Sequence, residues 1–194
     1  MATFKKYKNL NNTTNHSMRR GNQRLGLTKN ETKKMADRAL TDGISSELIF
    51  GKLKEEVMDT CKGNVRYYAN AVYIFNRNNH LVTVIKVDPI YEKHLLDYVS
   101  LPVFAWYKMN RIKYKSNQAA CQKSVQRLIN ESKQKIILKI NTEFFADSDI
   151  KVHDIILYEK KGTVVVDTTD FSKIADLRSD FKKKYRMNLI TKRK

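Results

Sequence analysis

Apolar residues recur at helical spacing over the first third of the chain and then fall into short alternating or clustered runs. Met18, Leu25 and Leu27 open the pattern, and Gly26 marks the end of a short first helix. Thr28-Lys29-Asn30-Glu31 has the spacing of a capping box. The threonine hydroxyl accepts from the amide three residues on while the glutamate reaches back, so a second helix is predicted to start there. Met35, Ala39 and Leu40 give it a core face, and Gly43 ends it. Ser45 or Ser46 is placed to cap a third helix carrying Leu48, Ile49, Leu53 and Val57. After Gly63 the pattern changes to β-branched and aromatic runs, which predict strands at about 64–69, 71–76 and 81–87. Asn76 to His80 turns the last two into a hairpin, and Pro89 closes the unit. Helices followed by an antiparallel sheet make an α+β layout.

The second half repeats that class with a different order. Asn117 to Phe145 reads as one long helix, with Cys121, Val125, Leu128, Ile129, Ile136, Ile140 and Phe144 near helical periods. Strands are predicted at about 150–158 and 163–168, joined across Lys160-Lys161-Gly162. Asp170 is placed to cap a helix running to about Tyr185, and Met187 to Thr191 reads as a last strand, giving a small lobe of α-β-β-α-β order. No KH-type GXXG loop and no RRM aromatic signature occurs in it. The domain reading is a flexible basic arm at 1–14, a first domain at 15–89, a connecting aromatic segment at 90–116 and a basic C-terminal domain at 117–194. The run from Leu101 to Tyr107 is explained by packing between lobes more simply than by Trp106 stacking on a nucleobase.

Charge then narrows the partner. Among 194 residues, 38 Lys and Arg stand against 20 Asp and Glu, for a net charge of +18, and 41% apolar residues suffice for an ordinary core. Residues 1–100 carry +7 and residues 101–194 carry +11, so both halves suit a polyanion. Cys61 and Cys121 lie 60 residues apart with no CxxC and no histidine at ligand spacing, which reads as two reduced thiols and no metal site. No apolar run approaches the roughly 18 residues of a membrane span, and the first residues lack a signal peptide's apolar core. The expectation is a soluble, cytoplasmic protein.

Candidate chemistry concentrates between Asn15 and Pro89. If the first segment is helical, Arg20 lies one turn from His16 and Arg24 one turn further on the same face, with Arg19 nearly as close to the histidine. The order His16, Arg19, Arg20, Arg24, then helices ending at Gly43-Ile44, then Val65-Arg66-Tyr67-Tyr68 and Val72-Tyr73-Ile74-Phe75, then Leu81-Val82-Thr83-Val84 resembles the barnase/colicin/RelE-like (BECR-fold) superfamily of ribonucleases. The likeness is to its toxin-like branches, which have an N-terminal His-x-x-x-R element and a late threonine. It covers residues 15–89, less than half of the chain, and the order of elements supplies much of it.

The resemblance implies a metal-independent endoribonuclease without cofactor. In that reaction a ribose 2′-OH attacks its own 3′ phosphate, leaving 2′,3′-cyclic phosphate and 5′-OH ends. It implies that His16 serves as acid or base, since an imidazole titrates near neutral pH. It places Arg20 and Arg24, with Arg19 as an alternative, on the phosphate, and has Thr83 donate its hydroxyl to a phosphoryl oxygen. Tyr67, Tyr68 or Tyr73 would position the ribose, and Lys86 would supply a further cation. Each residue also has a plainer role: the arginines as backbone contacts or a solvated face, Thr83 as a strand former, the tyrosines as sheet packing. No glutamate occupies a clear general-base position, so one histidine would act twice or share the work with a tyrosine or lysine. His80, His94 and His153 are assigned no chemistry. Lys182, Lys183, Lys184 and Arg186, with the run at 192–194, suit phosphate contact or a solvated helix end.

Three functions follow. The first is an endoribonuclease whose second lobe holds the target, including a structured RNA in a ribonucleoprotein such as a CRISPR effector with its guide. The second is a non-catalytic RNA- or RNP-binding protein on the same fold. The third is a protein-binding, anti-CRISPR-like inhibitor of a nucleic-acid-binding effector.

Overall fold

A computed structural model describes residues 13–168 and 171–192. Most of the expected arm, the expected Asp170 cap, and Arg193 and Lys194 lie outside them. The chain divides after Tyr98 into two compact units.

In the first unit, α1 (Asn15–Leu25) starts at Thr14, whose hydroxyl accepts from the Ser17 amide at 3.1 Å. It ends at Gly26, which takes the left-handed conformation (φ 68°) that glycine adopts without strain. α2 (Lys29–Asp42) begins with both halves of the expected capping box formed. The expected third helix does not form as one piece. Ile44–Ser45 is strand β1, Ser46–Leu48 a 3-10 turn, and Lys54–Met58 a π-helical turn. Ile49 between them is extended, Gly51 has φ 64°, and the Phe50 N–H donates to the Tyr98 carbonyl at 2.9 Å rather than to its own turn. Ile49 and Leu53 are both fully buried. Pairing of Ile44 with Tyr67 and the Phe50–Tyr98 bond replace the helical bonds that the spacing predicts, with both side chains still buried.

β2 (Asn64–Tyr68), β3 (Ala71–Phe75) and β4 (Leu81–Lys86) follow the expected strands closely, and the antiparallel sheet has the order β1-β2-β3-β4. Ala69 and Asn70, both at positive φ, make the tight turn between β2 and β3. Asn76 organises the next turn through its side-chain oxygen, which accepts from the amides of Asn78 and His80. Every residue of β3 is buried, which makes it the centre of the core. Val82 is an extra residue in β4, since Thr83 pairs with Ile74 and Leu81 with Phe75. α3 (Pro89–Lys93) and a 3-10 turn at Leu95–Asp97 complete the unit.

The segment 90–116 is therefore not a uniform connector. Its later part is α4 (Leu101–Ile112), a core helix of the second unit with Leu101, Val103, Phe104 and Tyr107 buried. α5 (Gln118–Glu143) follows, the long helix expected over Asn117 to Phe145, with the Asn117 side chain accepting from the Ala120 amide as its cap. β5 (Lys151–Tyr158) and β6 (Lys161–Asp167) are antiparallel; α6 (Phe171–Tyr185) then crosses to β7 (Asn188–Thr191), parallel to β6. From α5 onward the α-β-β-α-β order is as expected, with α4 preceding it in the unit. The turn between β5 and β6 is shorter than predicted, because Tyr158 pairs with Lys161 and only Glu159 and Lys160 lie between them. Gly162 belongs to the strand, where a Cβ would come within 3.1 Å of both Met187 and Pro102. Phe144, Phe145, Phe181 and Tyr185 close the core at the end of α5, with Phe181 and Tyr185 centroids 4.8 Å apart.

Among the described residues no helix is long and apolar enough to cross a membrane.

Candidate functional site

β4 is the last strand of its sheet, so its outer backbone groups lack a strand partner. The chain entering α1 covers part of that edge. Thr13 forms a parallel bridge with Leu81, and α1 then lies against β4 until the Arg24 Nη1 donates to the Val84 carbonyl at 2.7 Å. α1 is seated on α2 through small residues: Ser17 and Gly21 are buried, and Gly21 lies against the buried Thr32. The flank beside this contact carries His16, Arg20 and Arg24, spaced one helical turn apart, so the predicted row exists. Thr83 lies between the two points that fasten α1 to β4, at Leu81 and Val84. The helix that carries His16, Arg20 and Arg24 thus lies along the edge strand that holds Thr83.

Their surroundings differ. His16 is exposed, Arg20 half-buried, and Arg24 half-buried with its guanidinium on the strand carbonyl. Arg19 is exposed and falls off the row, about 100° of helical turn from Arg20. Thr83 is half-buried; its pairing with Ile74 and, beyond it, Val65 puts it on the same sheet face as Tyr67. Lys86, in register with Ala71 and Tyr68, is exposed on the other face. Two residues expected to act together are therefore separated by the pleat.

The tyrosines expected to meet ribose are core residues. Tyr67 is fully buried and donates its hydroxyl to Glu92 at 3.0 Å; Tyr68 is 3% exposed. Tyr73 is fully buried, and burial pushes its phenol far above the ordinary range. On the Lys86 face, half-buried Arg66 donates to the Asn64 side chain at 2.9 Å, and burial lowers its pKa against the pull of Glu47. Sequence reading passed over Arg66, although its place in a β-aromatic run marks it as a cation carried by the sheet.

The basic cluster of the second unit is partly engaged. Lys183 pairs with Asp180 at 3.3 Å and Lys184 with Glu143 at 3.7 Å, with its ammonium 5.5 Å from the Tyr185 ring centroid. Lys182 is exposed, and Arg186 leaves the helix at φ 55° with its amide on the Lys182 carbonyl. Sequence reading missed Arg178, which with Ile156, Ile190 and Lys192, the first residue of the expected basic run at 192–194, lines a depression on the sheet; the signal is the alternation of Ile156 and Tyr158 with buried Ile155.

Among the described residues no group of three or more His, Cys, Asp or Glu is placed to hold a metal ion. No protein-family model, no curated protein and no solved structure matches the chain.

Proposed function

We propose that the chain is a metal-independent endoribonuclease of the barnase/colicin/RelE-like type, acting at the α1–β4 edge. The observation that carries this reading is the row of His16, Arg20 and Arg24 laid along a strand that holds Thr83. His16 takes the proton of the ribose 2′-OH as the 2′ oxygen closes on phosphorus, and the imidazolium so formed returns that proton to the departing 5′ oxygen as its bond to phosphorus breaks. Arg20 offsets the charge of the phosphorane, the Thr83 hydroxyl donates to a non-bridging oxygen, and Arg19, off the row, contacts the RNA backbone. Arg24 acts as a positioning residue, since its guanidinium holds α1 to the strand. Incubation of the protein with structured RNAs in EDTA tests the reading. Wild type is expected to leave cyclic phosphate and 5′-OH ends and His16→Ala to cut at least about a hundredfold more slowly. Equal cleavage by the two proteins removes His16 from the chemistry.

A second reading has its own support. With Arg24 on a backbone carbonyl and Tyr67 and Tyr68 buried, the edge has fewer groups for chemistry than for phosphate contact, which favours a non-catalytic RNA-binding protein. Salt-dependent binding of RNA that stays intact is its signature.

A further inference from the structure

The sheet of the second unit is covered on one face and open on the other. Ile155, Val164 and Leu189 are paired across the three strands and are at most 3% exposed. The alternate residues behave differently: Ile156 is 54% exposed, Tyr158 72% and Ile190 40%. Val165 lies between β5 and β7 as the floor of a depression of about 490 Å³, whose wall includes Ile156, Ile190, Arg178 and Lys192. Lys161, directly across from Tyr158, adds a third cation to the same face. Two carboxylates stand on these strands, Asp154 in register with Val165 and Asp167 at the end of β6, and each has a partner. Asp154 pairs with Lys133 of α5 at 2.8 Å, which holds its carboxyl below the usual range, and Asp167 pairs with His153 at 3.4 Å.

An apolar floor ringed by cations suits a ligand that is flat and apolar in one part and anionic in another. A second copy of the chain does not fit, because facing copies would bring Lys161, Arg178 and Lys192 against themselves. A nucleic-acid duplex buries its bases against one another and offers phosphates alone. A single strand offers both, with unpaired bases for the floor and phosphates for the rim.

Resting on the reading of the chain as an RNA-binding protein, we propose that the open face of the β5-β6-β7 sheet binds single-stranded RNA. Unpaired bases lie on Tyr158, Ile156 and Ile190, and the backbone reaches Lys161, Arg178 and Lys192. The second unit thus reads strandedness rather than adding charge alone, and its contact is the sheet face rather than the lysine cluster of α6.

The test uses the full chain and a fluorescein-labelled 2′-O-methyl oligouridylate, which lacks the nucleophile and stays intact whatever the first unit does. Anisotropy titration is expected to show Tyr158→Ser binding roughly tenfold more weakly, the loss of one base–aromatic contact. Arg178→Gln with Lys192→Gln is expected to flatten the slope of log affinity against log salt by about 1.4, at roughly 0.7 for each single-strand phosphate contact. Affinity for a duplex of equal length stays unchanged in Tyr158→Ser. All three side chains are at the surface, and circular dichroism checks that the variants fold. Unchanged oligouridylate affinity in both variants overturns the proposal, as does displacement by polyglutamate as effective as that by polyuridylate, which would mark a general polyanion surface. Cleavage of RNA by a wild-type protein whose oligouridylate affinity ignores Tyr158 removes this site and leaves the ribonuclease reading standing. Tyr158-dependent binding by a protein that cuts no RNA does the reverse.

Discussion

Replacing Gly21 by alanine probes the contact that holds α1 in place. A Cβ built on Gly21 would lie 2.7 Å from Thr32 Cγ2 and closer still to Thr32 Oγ1. Thr32 is fully buried, β-branched, and fixed by its hydroxyl's hydrogen bond to the Thr28 carbonyl at 2.9 Å, so it has little room to turn away. Two effects oppose each other. Alanine favours the helix by about 1 kcal/mol over glycine. Overpacking costs about 1–3 kcal/mol, and weakening the Thr32 hydrogen bond adds up to about 1 kcal/mol. The net expectation is a loss of about 1–2 kcal/mol, which for a unit of this size lowers its melting temperature by roughly 5–15 °C. Urea denaturation followed by far-ultraviolet circular dichroism measures it. The decisive comparison is in a Thr32→Ala background, where the nearest remaining side-chain atom, Cβ, is 3.1 Å away. There Gly21→Ala is expected to be neutral or slightly stabilising, a coupling of about 1–2 kcal/mol between the two sites. A Gly21→Ala protein as stable as wild type, or the same loss in both backgrounds, would refute the seating of α1 on α2 at this point and with it the placement of the His16 row.

Other expectations follow from the same geometry. Arg24→Ala is expected to destabilise the protein by about 1–2 kcal/mol by uncovering the Val84 carbonyl, against about 0.5 kcal/mol or less for exposed Arg19→Ala; equal effects in denaturant titrations would argue against the edge role of Arg24. Thr28 amide and hydroxyl hold the Glu31 carboxyl below its ordinary range, so the box stabilises above the ordinary glutamate pKa and that stabilisation is lost as pH falls through the depressed value; Glu31→Gln is expected to flatten the acid limb of a stability–pH curve, and an unchanged limb would count against it. Tyr91 donates to Glu56 at 2.6 Å and is pushed up to about 12, so its contribution is intact below the ordinary phenol value of 10 and is lost as pH rises toward 12; ultraviolet titration should show this late phenol disappear in Tyr91→Phe and move down in Glu56→Gln.

Local signals explain which parts of the fold were legible. The Thr28–Glu31 box and the Asn76 turn are each specified within a few residues, and each forms as its spacing predicts. The failed helix over 45–57 has good apolar spacing, but its outcome rests on distant partners: Ile44 pairs with Tyr67, and Phe50 bonds to Tyr98. Leu101–Ile112 was illegible for the opposite reason. Its first seven residues, Leu101 to Tyr107, form one apolar run whose periodicity does not separate helix from strand, and its helix is fixed by burial. At the candidate site, the turn-by-turn row of His16, Arg20 and Arg24 was legible because helical spacing alone makes it. That Arg24 faces a strand carbonyl 60 residues away, and that Tyr67 faces Glu92, required the tertiary structure.

The two units manage a shared difficulty in parallel ways, and this bears on how their charge should be read. Each sheet has an edge strand whose backbone groups invite another chain, and each edge receives a side chain from a helix. Arg24 of α1 donates to Val84 of β4; Asn141 of α5 accepts from the Val152 amide of β5, with Lys133 beside it on Asp154. A cation used this way is held by the fold and is poorly placed to follow a phosphate. The surplus of +18 is therefore not one uniform surface for a polyanion. Arg24 and Lys133 belong to the architecture. Arg19, Arg178 and Lys192 stand on faces where strand-edge pairing does not claim them, two of them beside exposed apolar side chains. Charge alone predicts that any lysine or arginine removed weakens RNA binding by a similar amount. The structure predicts two classes, one whose loss appears in stability and one whose loss appears in the salt dependence of binding.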